Sequence, residues 1–147
     1  MKSPLVRLLA LLPVLLLALP GPALAQGHAV LASQINAGYD LLEQGKFDQA
    51  RKIYEDILKQ HPGHPLALNN LAAIVTKKGD FQQALALLKQ ALSGAQGYKI
   101  TLNRVCNVDG VCAAFRQSTD AFGQENLEDL IKANILMVQM AASGHSQ

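Results

Sequence analysis

The sequence has few of the residues that most often mark chemistry. Its 147 residues contain no tryptophan, two cysteines and four histidines, and only 5% are aromatic. It contains no G-x-S-x-G elbow, Walker loop, H-E-x-x-H helix or dinucleotide-binding glycine fingerprint. The sequence therefore predicts a protein that is not an enzyme and that carries no cofactor and no metal. Binding and structural roles remain as candidates.

The segment from Met1 to Ala25 has the layout of a secretory signal peptide. Lys2 and Arg7 come before an apolar run from Leu8 to Leu19, and an A-x-A cleavage site ends at Ala25. We predict cleavage between Ala25 and Gln26. The mature chain would then enter an oxidising compartment, the periplasm or the outside of the cell.

The charge balance argues against two classes of partner. Outside the predicted signal peptide, the sequence has 11 basic and 11 acidic residues. Surfaces that bind nucleic acid or anionic membranes normally carry an excess of Lys and Arg. No second apolar run is long enough to cross a bilayer. The sequence thus predicts no nucleic-acid partner and no membrane association after cleavage.

A repeat with a period of about 34 residues fills the middle of the chain. Segments 31–64 and 65–98 agree at this offset, with Asn36 matching Asn70, Gly45 matching Gly79, Phe47 matching Phe81, Ala50 matching Ala84 and Leu58 matching Leu92. In each segment, apolar residues recur at helical spacing before the turn glycine and again after it. Asp80, directly after the second turn glycine, is a candidate N-cap. This pattern predicts two consecutive helix-turn-helix units.

The repeat resembles the tetratricopeptide repeat family in its period and in its order of small, glycine, aromatic and alanine positions. The matching residues are Gly38, Gly45, Phe47, Ala50, Tyr54 and Pro62, then Leu71, Ala72, Gly79, Phe81, Ala84, Ala91 and Leu92. Gln34 and Leu68 replace the usual early aromatic residue. The resemblance implies an all-α fold with two repeats in residues 26–98 and a role in binding other proteins.

The sequence after residue 98 does not continue the repeat. Residues 99–125 form a non-repeat segment, whose beginning, KITLNRV, is typical of extended or irregular chain. Residues 126–142 predict a helix with Asn126 as its N-cap, and residues 143–147 form a tail. Because two repeats rarely bury enough surface, we expect this helix to cap the array.

The two cysteines lie in the stretch VCNVDGVC, within the non-repeat segment. Zinc sites usually need four ligands, and redox centres of the thioredoxin type need C-x-x-C spacing, so neither fits Cys106 and Cys112. A calcium-loop register places Val105 and Arg116 at ligand positions, which also fails. We therefore predict a disulfide between Cys106 and Cys112 that closes an Asp109-Gly110 turn.

The resemblance also implies a binding groove, because the first helix of each repeat lines the concave face in this family. Carried over by position, the groove residues are Ile35, Asn36, Tyr39, Leu42 and Glu43 from the first repeat and Asn69, Asn70, Ala73, Thr76 and Lys77 from the second. Asn36 and Asn70 lie where family members often hydrogen-bond a peptide backbone. The sequence does not decide whether this groove is open or filled by the C-terminal segment.

We therefore expect a periplasmic module that binds an extended segment or a helix of a protein partner. Envelope assembly, pilus biogenesis and secretion are settings suggested by family analogy alone. One alternative is a scaffold that self-associates as a homo-oligomer. Another is a protein that binds a small ligand or a metal.

Overall fold

A computed structural model describes residues 22–104, 114–117 and 124–144 of the chain. The described residues form five helices and three short strands: α1 (Pro22–Glu43), α2 (Phe47–Gln60), α3 (Pro65–Lys77), α4 (Phe81–Gly94), β1 (Lys99–Arg104), β2 (Phe115–Gln117), β3 (Gln124–Asn126) and α5 (Leu127–Gly144). The prediction of an all-α fold is confirmed, because the helices build the body of the molecule. The small sheet is an addition.

Helices α1 to α4 form two consecutive hairpins. Helix α1 packs on α2, α2 on α3, and α3 on α4. The hairpin turns are at Gly45 and Gly79, whose φ angles are +73° and +81°, a left-handed conformation that glycine adopts without steric cost. Asp80 caps α4 as predicted, since its carboxylate accepts a 3.0 Å hydrogen bond from the Gln83 N–H.

Small residues allow the helices of a hairpin to approach closely. Ala50 and Ala84 are fully buried at matching positions of the two repeats. Gly38 in α1 lies against the ring of Tyr54 in α2, and a Cβ atom at position 38 would come within 2.7 Å of Tyr54 Cζ. The core therefore depends on the absence of a side chain at Gly38.

The three strands form an antiparallel sheet with the order β2-β1-β3. Arg104 pairs with Phe115 on one side of β1, and Lys99 pairs with Asn126 on the other. Strand β2 lies against α1 and α3, whereas β3 leads directly into α5. The sheet thus connects the end of the repeats to the last helix. Its strand β2 lies against α1 and α3.

Helix α5 packs on α4, and its buried residues are Leu127, Ile131, Asn134 and Val138. Asn126 caps the helix, since its Oδ1 accepts a 3.1 Å hydrogen bond from the Glu128 N–H. The packing supports our proposal that α5 caps the array.

The sequence of α5 also repeats a pattern of α3. Asn134 and Gly144 have the same separation along the chain as Asn69 and Gly79. The two asparagines also meet in space, because Asn134 Nδ2 lies 2.8 Å from Asn69 Oδ1.

Two predictions fall largely on parts of the chain that lie outside the described residues. These are the signal peptide, of which residues 1–21 are outside, and the disulfide between Cys106 and Cys112. Helix α1 begins at Pro22 and continues through the predicted cleavage site. Within the described ranges, none of the helices is long and apolar enough to span a bilayer.

Candidate functional site

The face formed by α1 and α3, which we call the inner face, is covered by strand β2. The predicted groove residues lie on or behind this face. Six of them are buried: Ile35, Tyr39, Leu42, Asn69, Asn70 and Ala73. Asn36 and Thr76 are half-buried, and Glu43 and Lys77 are exposed. The groove predicted from the sequence is therefore occupied by a segment of the same chain.

The side chain of Asn70 binds both backbone groups of Phe115. Its Oδ1 accepts a hydrogen bond of 2.8 Å from the Phe115 N–H, and its Nδ2 donates one of 2.8 Å to the Phe115 carbonyl. A side-chain amide has the same donor and acceptor as a peptide group, so Asn70 pairs with β2 as a neighbouring strand would.

Asn36 repeats this arrangement one repeat earlier. Its Oδ1 accepts a 3.0 Å hydrogen bond from the Gln117 N–H, and its Nδ2 donates one of 2.9 Å to the Gln117 carbonyl. Two asparagines at matching positions of the two repeats thus hold alternate residues of one strand.

The alternation follows from strand geometry. Backbone N–H and C=O groups of alternate residues point to the same edge of a strand. The backbone groups of Phe115 and Gln117 therefore point to the asparagines. Those of Arg116 point to β1, where Arg116 pairs with Asn103. One edge of β2 is paired with β1, and the other is paired with two helix side chains.

Asn70 is also the centre of a buried polar network. Its Nδ2 donates to the Tyr54 hydroxyl over 3.1 Å, and its Oδ1 accepts from Asn69 over 3.2 Å. Asn134 of α5 donates to Asn69 over 2.8 Å. Every buried side-chain nitrogen and oxygen in the described part of the chain has a hydrogen-bond partner. The network links α2, α3, α5 and β2 and holds Asn70 in one orientation.

The hydroxyl of Tyr54 completes the network by donating to the Ile35 carbonyl over 3.3 Å. Burial raises the pKa of Tyr54 above the usual value of 10.0, and the hydrogen bond from Asn70 opposes this shift. Tyr54 therefore stays neutral and can serve as donor and acceptor at once.

An ion pair joins β2 to α1 beside the asparagine contacts. Arg116 Nη1 lies 3.3 Å from Asp40 Oδ1, and the two side chains are 42% and 44% exposed. The Tyr39 hydroxyl donates to Glu43 over 3.4 Å. Burial raises the pKa of Tyr39, the Glu43 carboxylate raises it further, and Arg116 opposes the shift. Asp40 and Glu43 thus place two carboxylates beside Arg116 at this end of the inner face.

Residues 35–99 match a family model described as Tetratricopeptide repeat. This segment is similar to the tetratricopeptide repeat family. Such repeats are non-catalytic scaffolds that generally mediate protein–protein interaction. Comparison with curated proteins and with solved structures gave no match. The match ends at the first residue of β1, so β2 and α5 lie beyond the tetratricopeptide segment.

Two predicted groove residues of the second tetratricopeptide repeat contact other parts of the repeats. The Thr76 hydroxyl donates to the Ala72 carbonyl over 2.9 Å. Lys77 Nζ lies 5.0 Å from the centre of the Phe47 ring, within the range of a cation–π interaction. These contacts connect α3 to its own backbone and to α2.

The residues that bind the inner face from within the chain were not predicted from the sequence. Phe115, Arg116 and Gln117 lie in a segment without helical periodicity, and no local signal places them on α1 and α3. The position of Asp40 on the inner face could be predicted, because Asp40 is one helical turn beyond Asn36 and shares its helix face.

The histidines of the repeat linker have a structural role. His64 caps α3, since its Nδ1 accepts a hydrogen bond of 3.4 Å from the Ala67 N–H. Burial, and to a smaller extent the neighbouring His61, lowers the pKa of His64 to about 4. The ranges that the structure describes contain no cluster of three or more His, Cys, Asp or Glu side chains that could hold a metal ion.

Proposed function

We propose that this chain is a protein-interaction module whose inner face binds an extended segment of a partner protein. The observation that supports this most directly is the pairing of Asn36 and Asn70 with backbone groups of β2. These contacts do not depend on the side chains of the bound segment. Any extended segment offers the same N–H and C=O groups at alternate residues.

The chain's own segment has to leave before a partner can use the same contacts. Binding is then an exchange, and the apparent affinity is reduced by the fraction of molecules in which the inner face is occupied. The exchange loses few hydrogen bonds, because the incoming backbone replaces those of Phe115 and Gln117. An extended partner fits this exchange better than a helix, whose backbone groups are already paired.

The proposal places the module in the periplasm or outside the cell. The pattern of residues 1–25 supports that location. A partner in envelope assembly, pilus biogenesis or secretion would be consistent with it. Fractionation of cells that express the full chain, compared with a chain lacking residues 1–25, tests the location directly. Equal distribution of the two proteins would contradict export.

Photocrosslinking in the native cell tests the use of the inner face. A photoreactive amino acid replaces Glu43, which is exposed at the edge of this face, or Lys89, which is exposed on α4. We expect a partner to crosslink at position 43 and not at position 89. The crosslink should strengthen when Arg116→Glu, which places a carboxylate beside Asp40, weakens the chain's own segment. A crosslink that is unaffected by Arg116→Glu would show that the partner binds elsewhere.

Self-association is a second candidate function, supported by the outer side of α5. Leu136 and Met140 lie one turn apart, and they are 58% and 65% exposed. A complete third repeat would pack a second helix against such a helix. A second copy of the chain could cover it instead. Sedimentation of the mature chain tests this, and a monomer at all micromolar concentrations would contradict it.

A further inference from the structure

We infer, on the basis of the proposed function, that the partner segment carries an aromatic residue followed by a basic residue. The chain's own segment Ala114–Gln117, which we call the resident segment, competes with it for the inner face. The occupied inner face shows which side chains it accepts. Backbone contacts to Asn36 and Asn70 provide affinity without sequence selectivity. Selectivity has to come from the side chains of the bound segment.

The aromatic preference follows from the position of Phe115. Its side chain is 3% exposed, and the adjacent Ala114 is 5% exposed. Phe115 belongs to the same buried apolar cluster as Ile35, Tyr39 and Leu71. A partner without a large apolar residue at this place would leave a cavity where Phe115 now lies.

The basic preference follows from the residue after the aromatic one. Successive side chains of a strand point to opposite faces, so Arg116 leaves the apolar cluster and meets Asp40 at 3.3 Å. Glu43, one turn further along α1, is exposed at the same end of the face. A basic residue in the partner would replace Arg116 there, whereas an acidic residue would meet like charge.

The resident segment is joined to the inner face by contacts that an incoming segment would reproduce. These are the four backbone hydrogen bonds to Asn36 and Asn70 and the ion pair between Arg116 and Asp40. Arg116→Glu places a carboxylate beside Asp40 and so weakens the resident segment without changing the face itself. Arg116→Lys keeps the charge and is the matched control.

Fluorescence anisotropy with labelled peptides tests the inference on the full mature chain. The probe is the peptide Gly-Ser-Ala-Phe-Arg-Gln-Ser-Gly. We expect it to bind the Arg116→Glu protein at least roughly fivefold more tightly than the wild type, and the Arg116→Lys protein about as the wild type. Equal affinity for all three proteins would contradict competition by the resident segment.

Peptide variants test the selectivity. Replacing the aromatic residue by alanine should weaken binding roughly tenfold or more, because a buried anchor is lost. Replacing the arginine by glutamate should weaken binding several-fold, and Asp40→Lys in the protein should reverse that preference. In the milder variant Asp40→Asn, peptides with arginine and with alanine should bind alike.

The outcomes separate this inference from the proposed function. If an all-alanine peptide binds as tightly as the probe and its binding requires Asn36, the inferred preference for an aromatic and a basic residue is wrong. The proposed function then stands. If no peptide binds to any variant whose circular dichroism shows a folded chain, the proposed function itself is wrong. Should Arg116→Glu not fold, the comparison of Asp40→Asn with the wild type decides the selectivity.

Discussion

Asn70 and Phe115 are joined by two hydrogen bonds of 2.8 Å, through which a helix side chain pairs with a strand backbone. The side chain predicted to bind a peptide backbone thus binds the chain's own backbone here. Asn36 and Gln117 repeat the relationship one repeat earlier. The inner face therefore binds an extended segment of its own chain.

The two asparagines should differ in their contribution to stability. Asn70 is buried, and its amide makes hydrogen bonds to Phe115, Tyr54 and Asn69, whereas Asn36 is half-buried and binds Gln117. Removing Asn70 leaves several buried groups unpaired, so we expect Asn70→Ala to lower the unfolding free energy by about 3 kcal/mol or more.

The matched variant Asn36→Ala should lower the unfolding free energy by about 1 kcal/mol, because water can reach the freed groups of Gln117. Urea unfolding of both variants measures the difference. Equal losses would argue against the buried network as the source of the difference. The result also decides which variant is useful in binding experiments, since Asn36→Ala should remain folded.

Gly38 should not tolerate a side chain. A Cβ atom there would lie 2.7 Å from Tyr54 Cζ, and Tyr54 is fully buried between α1 and Asn70. We expect Gly38→Ala to lower the unfolding free energy by about 1–3 kcal/mol through overpacking, even though alanine favours a helix over glycine by about 1 kcal/mol.

Gly63→Ala is the control for the overpacking prediction. A Cβ atom at position 63 would meet no atom within 4 Å, and its φ angle is not in the left-handed region. We expect a change of less than about 0.5 kcal/mol. Thermal or urea unfolding compares the two variants, and a stable Gly38→Ala protein would mean that the ring of Tyr54 can move aside.

Stability should fall in mild acid because His64 is neutral in the folded state. Its folded pKa is about 4, below the usual 6.5, so the unfolded chain binds more protons between these values. The contribution of His64 is fully present above pH 6.5 and is lost as the pH falls towards 4.

Replacing His64 by Asn separates its titration from its capping role. Asparagine is a good N-cap and does not titrate, so His64→Asn should reduce the loss of melting temperature between about pH 7 and pH 4. His61→Asn leaves the cap in place and should retain most of the pH dependence. An unchanged pH dependence in His64→Asn would contradict the assignment to this residue.

The disulfide between Cys106 and Cys112 stays a prediction. If the chain is exported, alkylation and mass spectrometry of protein taken from its native compartment should show no free thiol. Reduction should lower the unfolding free energy by about 2 kcal/mol on the chain-entropy model for so short a loop. Two free thiols in the native protein would contradict the disulfide.

Much of the fold could be predicted because its signals are local and repeated. Gly45 and Gly79 mark turns in any chain with this pattern, since only glycine adopts their φ angles without cost. Asp80 and Asn126 could likewise be assigned as caps from their neighbours in sequence. Such features depend on a few consecutive residues, which is why sequence alone suffices for them.

The partners of the groove residues could not be predicted in the same way. Asn70 lies on the inner face, but its contact with Phe115 joins distant parts of the sequence. Arg116 and Asp40 are still further apart in the sequence. The segment around Arg116 has no periodic apolar pattern that would predict packing on helices. Long-range pairing of a short strand leaves little trace in local sequence.

By itself, the sequence determined the two helical repeats and their turns. It did so because a fixed repeat period brings the same side chains to the same place twice. Only the tertiary structure decided that the inner face is covered by β2, and that α5 packs on α4. Those results depend on how a sheet directs the chain back over α1 and α3, which is a property of the packed molecule and not of any one segment.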